Sequence, residues 1–94
     1  MTTTIPVGKG PIGVVTTPDG ALVYITNYIN NTVNVIETGS NTVTGKIPVG
    51  IFPSGVVISP NGAFVYVANR IDGTVSVIDT RSNRVITTIP VGTS

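Results

Sequence analysis

The sequence contains no cysteine and no histidine. That removes thiol nucleophiles, disulfides, the usual zinc sites and imidazole acid–base catalysis. Charge is scarce as well: 10% of the residues are charged, and five Lys and Arg against four Asp and Glu leave a net charge of +1. Such a balance gives no footprint for a nucleic-acid backbone or an anionic membrane. Long apolar runs are missing too. The longest, Ala63 to Ala68, falls far short of the roughly 20 residues a membrane helix needs, so no membrane insertion is expected. The opening MTTTIPVGKG has neither the basic start nor the apolar stretch of a signal peptide, and it gives no localisation. What is present is 94 residues, 40% of them apolar, enough to collapse into one small domain and too little charged to stay disordered.

An internal repeat organises the chain. Ile-Pro-Val-Gly starts at Ile5, Ile47 and Ile89, at intervals of 42 residues, and 23 of 42 positions match when the two copies are overlaid without a gap. Periods of this length that hold several short strands are typical of propeller blades. Each copy carries four β-branched runs separated by turn residues. The predicted strands are Gly13–Thr17, Leu22–Asn27, Thr32–Glu37 and Thr42–Ile47, then Gly55–Ser59, Phe64–Asn69, Thr74–Asp79 and Arg84–Ile89. Pro18-Asp19-Gly20 and Pro60-Asn61-Gly62 read as tight turns, with proline presetting φ and glycine taking the left-handed position. The connections Pro6–Ile12 and Pro48–Ser54 read as crossings into the next sheet. The second strands are apolar at successive positions, so both of their faces should be covered; the third strands alternate more. The expected fold is all-β, with two four-stranded antiparallel blades at about 5–46 and 47–88.

Tyr24-Ile25-Thr26-Asn27 and Tyr66-Val67-Ala68-Asn69 resemble the Tyr-Val-Thr-Asn signature of the YVTN β-propeller repeats. The neighbouring Pro-Asp-Gly and Ile-Pro-Val-Gly elements are similar to the rest of that consensus. The resemblance implies blades like those of archaeal surface-layer proteins, and similar blades form lactonase-like and quinoprotein-like enzymes. Rings of this family hold about seven blades, whereas two are encoded here. Two blades alone would leave two apolar faces uncovered, and large exposed apolar patches mark interaction surfaces. The expectation is therefore self-assembly into a closed homo-oligomeric ring, a trimer or a tetramer with preference for the tetramer. Because Thr3–Gly8 and Thr87–Gly92 are the same hexapeptide, one Ile-Pro-Val-Gly copy should be redundant in such a ring, and segment 89–94 is the candidate.

Candidate chemistry is thin. Gly8 to Gly13 matches the spacing of a dinucleotide-binding loop but contains Pro11 and precedes a strand, where that motif does not work. Asp19 and Asn61 share a turn position, and Glu37 and Asp79 share another, which suits turn hydrogen bonding better than an acid–base pair. Asp72 is too isolated for a calcium loop. No catalytic residue, metal or cofactor is expected, and the chain reads as a structural or interaction module rather than an enzyme. The differences between the copies gather in loops expected at one end of the blades: Lys9/Ile51, Gly10/Phe52, Ile12/Ser54, Tyr28/Arg70 and Asn30/Asp72. Lys9, Tyr28, Phe52 and Arg70 are the candidate binding face for a small molecule, a glycan or a peptide. A lactonase-like activity is the remaining reading, on family resemblance alone.

Overall fold

The computed structural model describes residues 7–92. They form eight strands: β1 (Pro11–Thr16), β2 (Leu22–Asn27), β3 (Thr32–Glu37), β4 (Thr42–Pro48), β5 (Pro53–Ile58), β6 (Phe64–Asn69), β7 (Thr74–Asp79) and β8 (Arg84–Pro90). Two antiparallel sheets result, in the orders β1-β2-β3-β4 and β5-β6-β7-β8. Every strand is hydrogen-bonded to its neighbour in sequence, the up-and-down topology of a propeller blade. The duplicated Ile-Pro-Val-Gly start at residues 5–8 lies partly outside the described residues. Its last copy continues β8, where Val75 faces Ile89 and Thr74 faces Pro90.

The first strand of each blade begins two residues before the predicted start and ends one earlier. Pro11 pairs with Asn27 and Pro53 with Asn69, and a register shift follows before Gly13 and Gly55. Proline has no N–H for a ladder, so it reads as loop in the sequence. At a bulged strand start that missing donor is tolerated. Side-chain hydrogen bonds fix the turns between the first and second strands. Thr17 and the Ala21 N–H donate to Asp19 Oδ1 at 2.7 and 3.0 Å, and Ser59 and the Ala63 N–H donate to Asn61 Oδ1 at 2.7 and 3.0 Å. The Thr17 hydroxyl, then the Ala21 N–H, hold the Asp19 carboxyl below its ordinary range.

The most buried strand is β3 rather than β2: five of its six residues are buried. Its polar member, Asn34, accepts from Asn27 Nδ2 at 2.9 Å and from the Gly8 N–H at 2.8 Å. A polar residue that breaks the apolar run is thus a satisfied interior group, because its carboxamide finds partners on two neighbouring segments.

The two sheets meet face to face. Strand β5 lies against β1 and β2, and β4 approaches β8. The seam buries Tyr24, Val33, Val35 and Ile47 of the first blade against Val65, Val67 and Ile78 of the second. Tyr24 is fully buried, and its hydroxyl donates across the seam to Asn83 Oδ1 at 2.5 Å. Burial, and then the nearby Asp79 charge, push the Tyr24 pKa up to about 12.

Each blade uses one face in this seam, and the opposite faces carry exposed apolar side chains around a few buried ones such as Ile36 and Val77. The flank of the first blade carries Val14 at 66% and Val43 at 40% exposure; that of the second carries Val57 at 61% and Ile89 at 42%. The second strands, apolar at successive positions, are therefore covered on both faces only in part. Within the described residues, the chain supplies cover for one face of each sheet.

Candidate functional site

Both crossings and both β2–β3-type hairpins lie at one end of the sheets. The Tyr28 N–H donates to the Gly10 carbonyl at 2.9 Å, and the Arg70 N–H donates to the Phe52 carbonyl at 2.9 Å. Between the blades, the Val49 N–H donates to the Asn31 carbonyl at 3.0 Å and the Phe52 N–H to Asn31 Oδ1 at 3.0 Å. Asn31 therefore clamps the crossing that leads into β5. The Ile51 N–H adds a bond to Asp72 Oδ2 at 3.0 Å, so Asp72 serves the loop itself.

Three of the four candidate residues come together here. The rings of Tyr28 and Phe52 lie 4.9 Å apart at 40°, and the Arg70 guanidinium sits 5.8 Å above the Phe52 ring. Aromatic pairs and guanidinium–ring contacts of this geometry are mutually attractive. Lys9 is exposed on the first crossing, beside Gly10, at the same end and outside the stack.

Phe52 has a left-handed backbone, φ +61°. Its repeat counterpart Gly10 has φ +72°, so the crossing itself demands that conformation. Glycine adopts it freely, whereas a bulky side chain costs roughly 1–2 kcal/mol there. Strain of this kind concentrates at functional positions. The residue types alone hid it, yet the glycine at the equivalent position was a usable signal.

Two repeated motifs meet just beneath these loops. A Cβ on Gly8 would fall 2.9 Å from the Asn27 carboxamide carbon, and one on Gly50 would fall 2.8 Å from that of Asn69. The final glycine of Ile-Pro-Val-Gly is thus the floor on which the asparagine of Tyr-x-x-Asn rests. Asn27 and Asn69 are buried, and their amide nitrogens donate to Asn34 and Ser76 at 2.9 Å each. Among the described residues, no cluster of three or more His, Cys, Asp or Glu is placed to hold a metal ion.

Two sheets of this topology, twinned by a 42-residue repeat and joined face to face, define the chain as a pair of β-propeller blades. The family model for the lactonase seven-bladed β-propeller matches residues 2–91, and the chain belongs to that family. Among solved structures, hydrazine synthase of Kuenenia stuttgartiensis is similar at 32% identity and TM-score 0.87, over 98% of this chain and 26% of that one. The dihydro-heme d1 dehydrogenase NirN gives 23% identity and TM-score 0.81, over 90% and 18%. The periplasmic gluconolactonase of Pseudomonas aeruginosa gives 23% and 0.72, over 88% and 26%. The chain thus spans about a quarter or less of these relatives' length. No curated protein matches it.

These findings correct the expectation of a chain without enzymatic character. The family is named for an enzyme, and enzymes stand among its structural neighbours. The expectation rested on missing His and Cys. That excludes the chemistry of those side chains within this chain, whereas other residue types can serve as acids, bases or nucleophiles.

Proposed function

We propose that the chain acts as a building module of a lactonase-type propeller. Its two blades form a rigid pair, further blades cover its open flanks, and the completed ring presents the loop-rich end as its ligand face. One observation carries this reading: apolar side chains that pack in the seam recur, 42 residues away, on flanks where Val14, Val57, Val43 and Ile89 stand exposed. Each such side chain gains about 1.5–3 kcal/mol on burial, which favours covering them. The likeness of the repeats to surface-layer blades supports a structural role of this kind. Sedimentation analysis tests it. A closed ring of copies weighs three or four times the 9.7 kDa chain, and the larger is expected; a stable monomer at high concentration defeats the proposal.

The Tyr28–Phe52–Arg70 stack favours a second reading, in which the loop-rich end binds a small ligand. Aromatic faces suit the apolar side of a sugar-derived ring, and the guanidinium suits its oxygen atoms. Gluconolactone is the fitting probe, given the family and the gluconolactonase among the neighbours. Amide shifts at residues 9–12, 28–31, 50–54 and 70–73 on titration, lost when Lys9, Tyr28, Phe52 and Arg70 are all truncated, are the expected result. Unchanged binding in that variant removes the site.

A further inference from the structure

We propose that the two open flanks recognise each other between copies of this chain, head to tail, in the register of the internal seam. The Tyr66 hydroxyl of one copy then donates to Asn41 of the next. This rests on the module reading above and gives it a specific partner and contact.

The seam joins one face of the first blade to the opposite face of the second. Its first-blade side includes Val15, Leu22, Tyr24, Val33, Val35 and Ile47. Forty-two residues on stand Val57, Phe64, Tyr66, Val75, Val77 and Ile89, and the strand registers Val57↔Tyr66, Tyr66↔Val77 and Val75↔Ile89 place them together on the second blade's open flank. The seam's second-blade side includes Val56, Ile58, Val65, Val67, Ile78 and Val85. Forty-two residues back stand Val14, Thr16, Val23, Ile25, Ile36 and Val43, on the first blade's open flank. The chain therefore displays both halves of an interface it has already formed internally. Because the halves differ, the contact is heterologous, and each copy offers one flank and accepts the other.

The polar bond across the seam has the same duplication. Tyr24 donates to Asn83, and their counterparts are Tyr66 and Asn41. Asn83 holds its acceptor from a left-handed backbone of φ +55°, and Asn41 has φ +55° as well. Asn41, in the turn before β4, is exposed, and Tyr66 is half-buried, paired with Val57 and Val77 on the second blade's flank. Among the positions compared, the contact between copies has Thr16 in place of Ile58, Ile25 in place of Val67 and Phe64 in place of Leu22, and Lys46 stands in place of Thr88.

Two blocked chains test the register. Val14→Glu spoils the first-blade flank and Val57→Glu the second, both at side chains more than 60% exposed, so folding should be spared. Each variant alone should sediment at the chain mass. Mixed, they should form a pair of twice that mass and no more, since each lends its intact flank to the other. Tyr66→Phe and Asn41→Ala should each weaken association of the otherwise unaltered chain by about five-fold, and the double variant should be no weaker than the worse single. An unaltered chain that stays monomeric overturns the module reading along with this inference. Assembly that persists with no pairing of the blocked chains, or with additive losses at Tyr66 and Asn41, overturns the inference and leaves the module reading standing.

Discussion

The seam and the flanks are made of nearly the same residues in opposite circumstances. Ile47 is 4% exposed and Ile89, its repeat counterpart, 42%. Tyr24 is sealed and bonded across the seam, whereas Tyr66 is half-buried. Val56 packs against the core while Val14 is the most exposed large apolar residue of the described chain. At these positions identical side chains on matching strands differ because one has a blade against it. Burial here is a property of the neighbour, and an apolar strand pattern states only that a neighbour is wanted.

The largest expected contrast comes from truncating matched isoleucines. Ile47→Ala should destabilise the chain by about 2–4 kcal/mol, through lost transfer energy and a cavity. Ile89→Ala should cost under about 1 kcal/mol in the dissociated chain. Urea unfolding at low protein concentration measures both, and equal losses would mean that the flank is already covered.

Next comes the seam tyrosine. Tyr24→Phe should cost about 1–2 kcal/mol by leaving Asn83 without its donor. Because folding raises the Tyr24 pKa from its ordinary 10.0 to about 12, the folded chain holds that proton more tightly than the unfolded chain. The associated stability is complete below pH 10, falls as the pH rises towards 12, and is lost above it. Unfolding curves across that window should show a steeper decline for the unaltered chain than for Tyr24→Phe. Parallel declines would break the link between the seam and the phenol.

The smallest contrast lies in the crossings. Phe52→Gly should change stability by less than about 1 kcal/mol, since relief of the left-handed backbone offsets the lost stacking. Phe52→Ala keeps the strain, loses the ring and should be the less stable of the two by thermal unfolding. The reverse order would show that the crossing can relax.

Much of the fold was legible because its causes are local. Asp19 and Asn61 close the same turn with the same two bonds, and the β-branched runs form the strands they suggest. Pro11 and Pro53 were misread at the strand starts because a bulge, which depends on the partner strand, accommodates them. Asn34 broke the apolar pattern of β3 yet lies buried, since its partners come from Asn27 and the Gly8 backbone. Of the candidate site, the clustering of Tyr28, Phe52 and Arg70 at one end follows from the repeat, while their stacking required the crossing geometry that Asn31 sets. The expected lack of enzymatic character failed because it leaned on the absence of two residue types, which says nothing of the family the whole repeat belongs to.

By itself, the sequence determined the repeat, the four strands of each blade, the turns between them and the end on which the copies differ. These rest on backbone preferences and hydrogen bonds spanning a few residues, which each copy carries complete. Only the tertiary structure decided which face of each blade is buried, which tyrosine is sealed and where the open flanks lie. Two equivalent faces with the same residues cannot be told apart by composition, and the one that meets a neighbouring sheet loses its water.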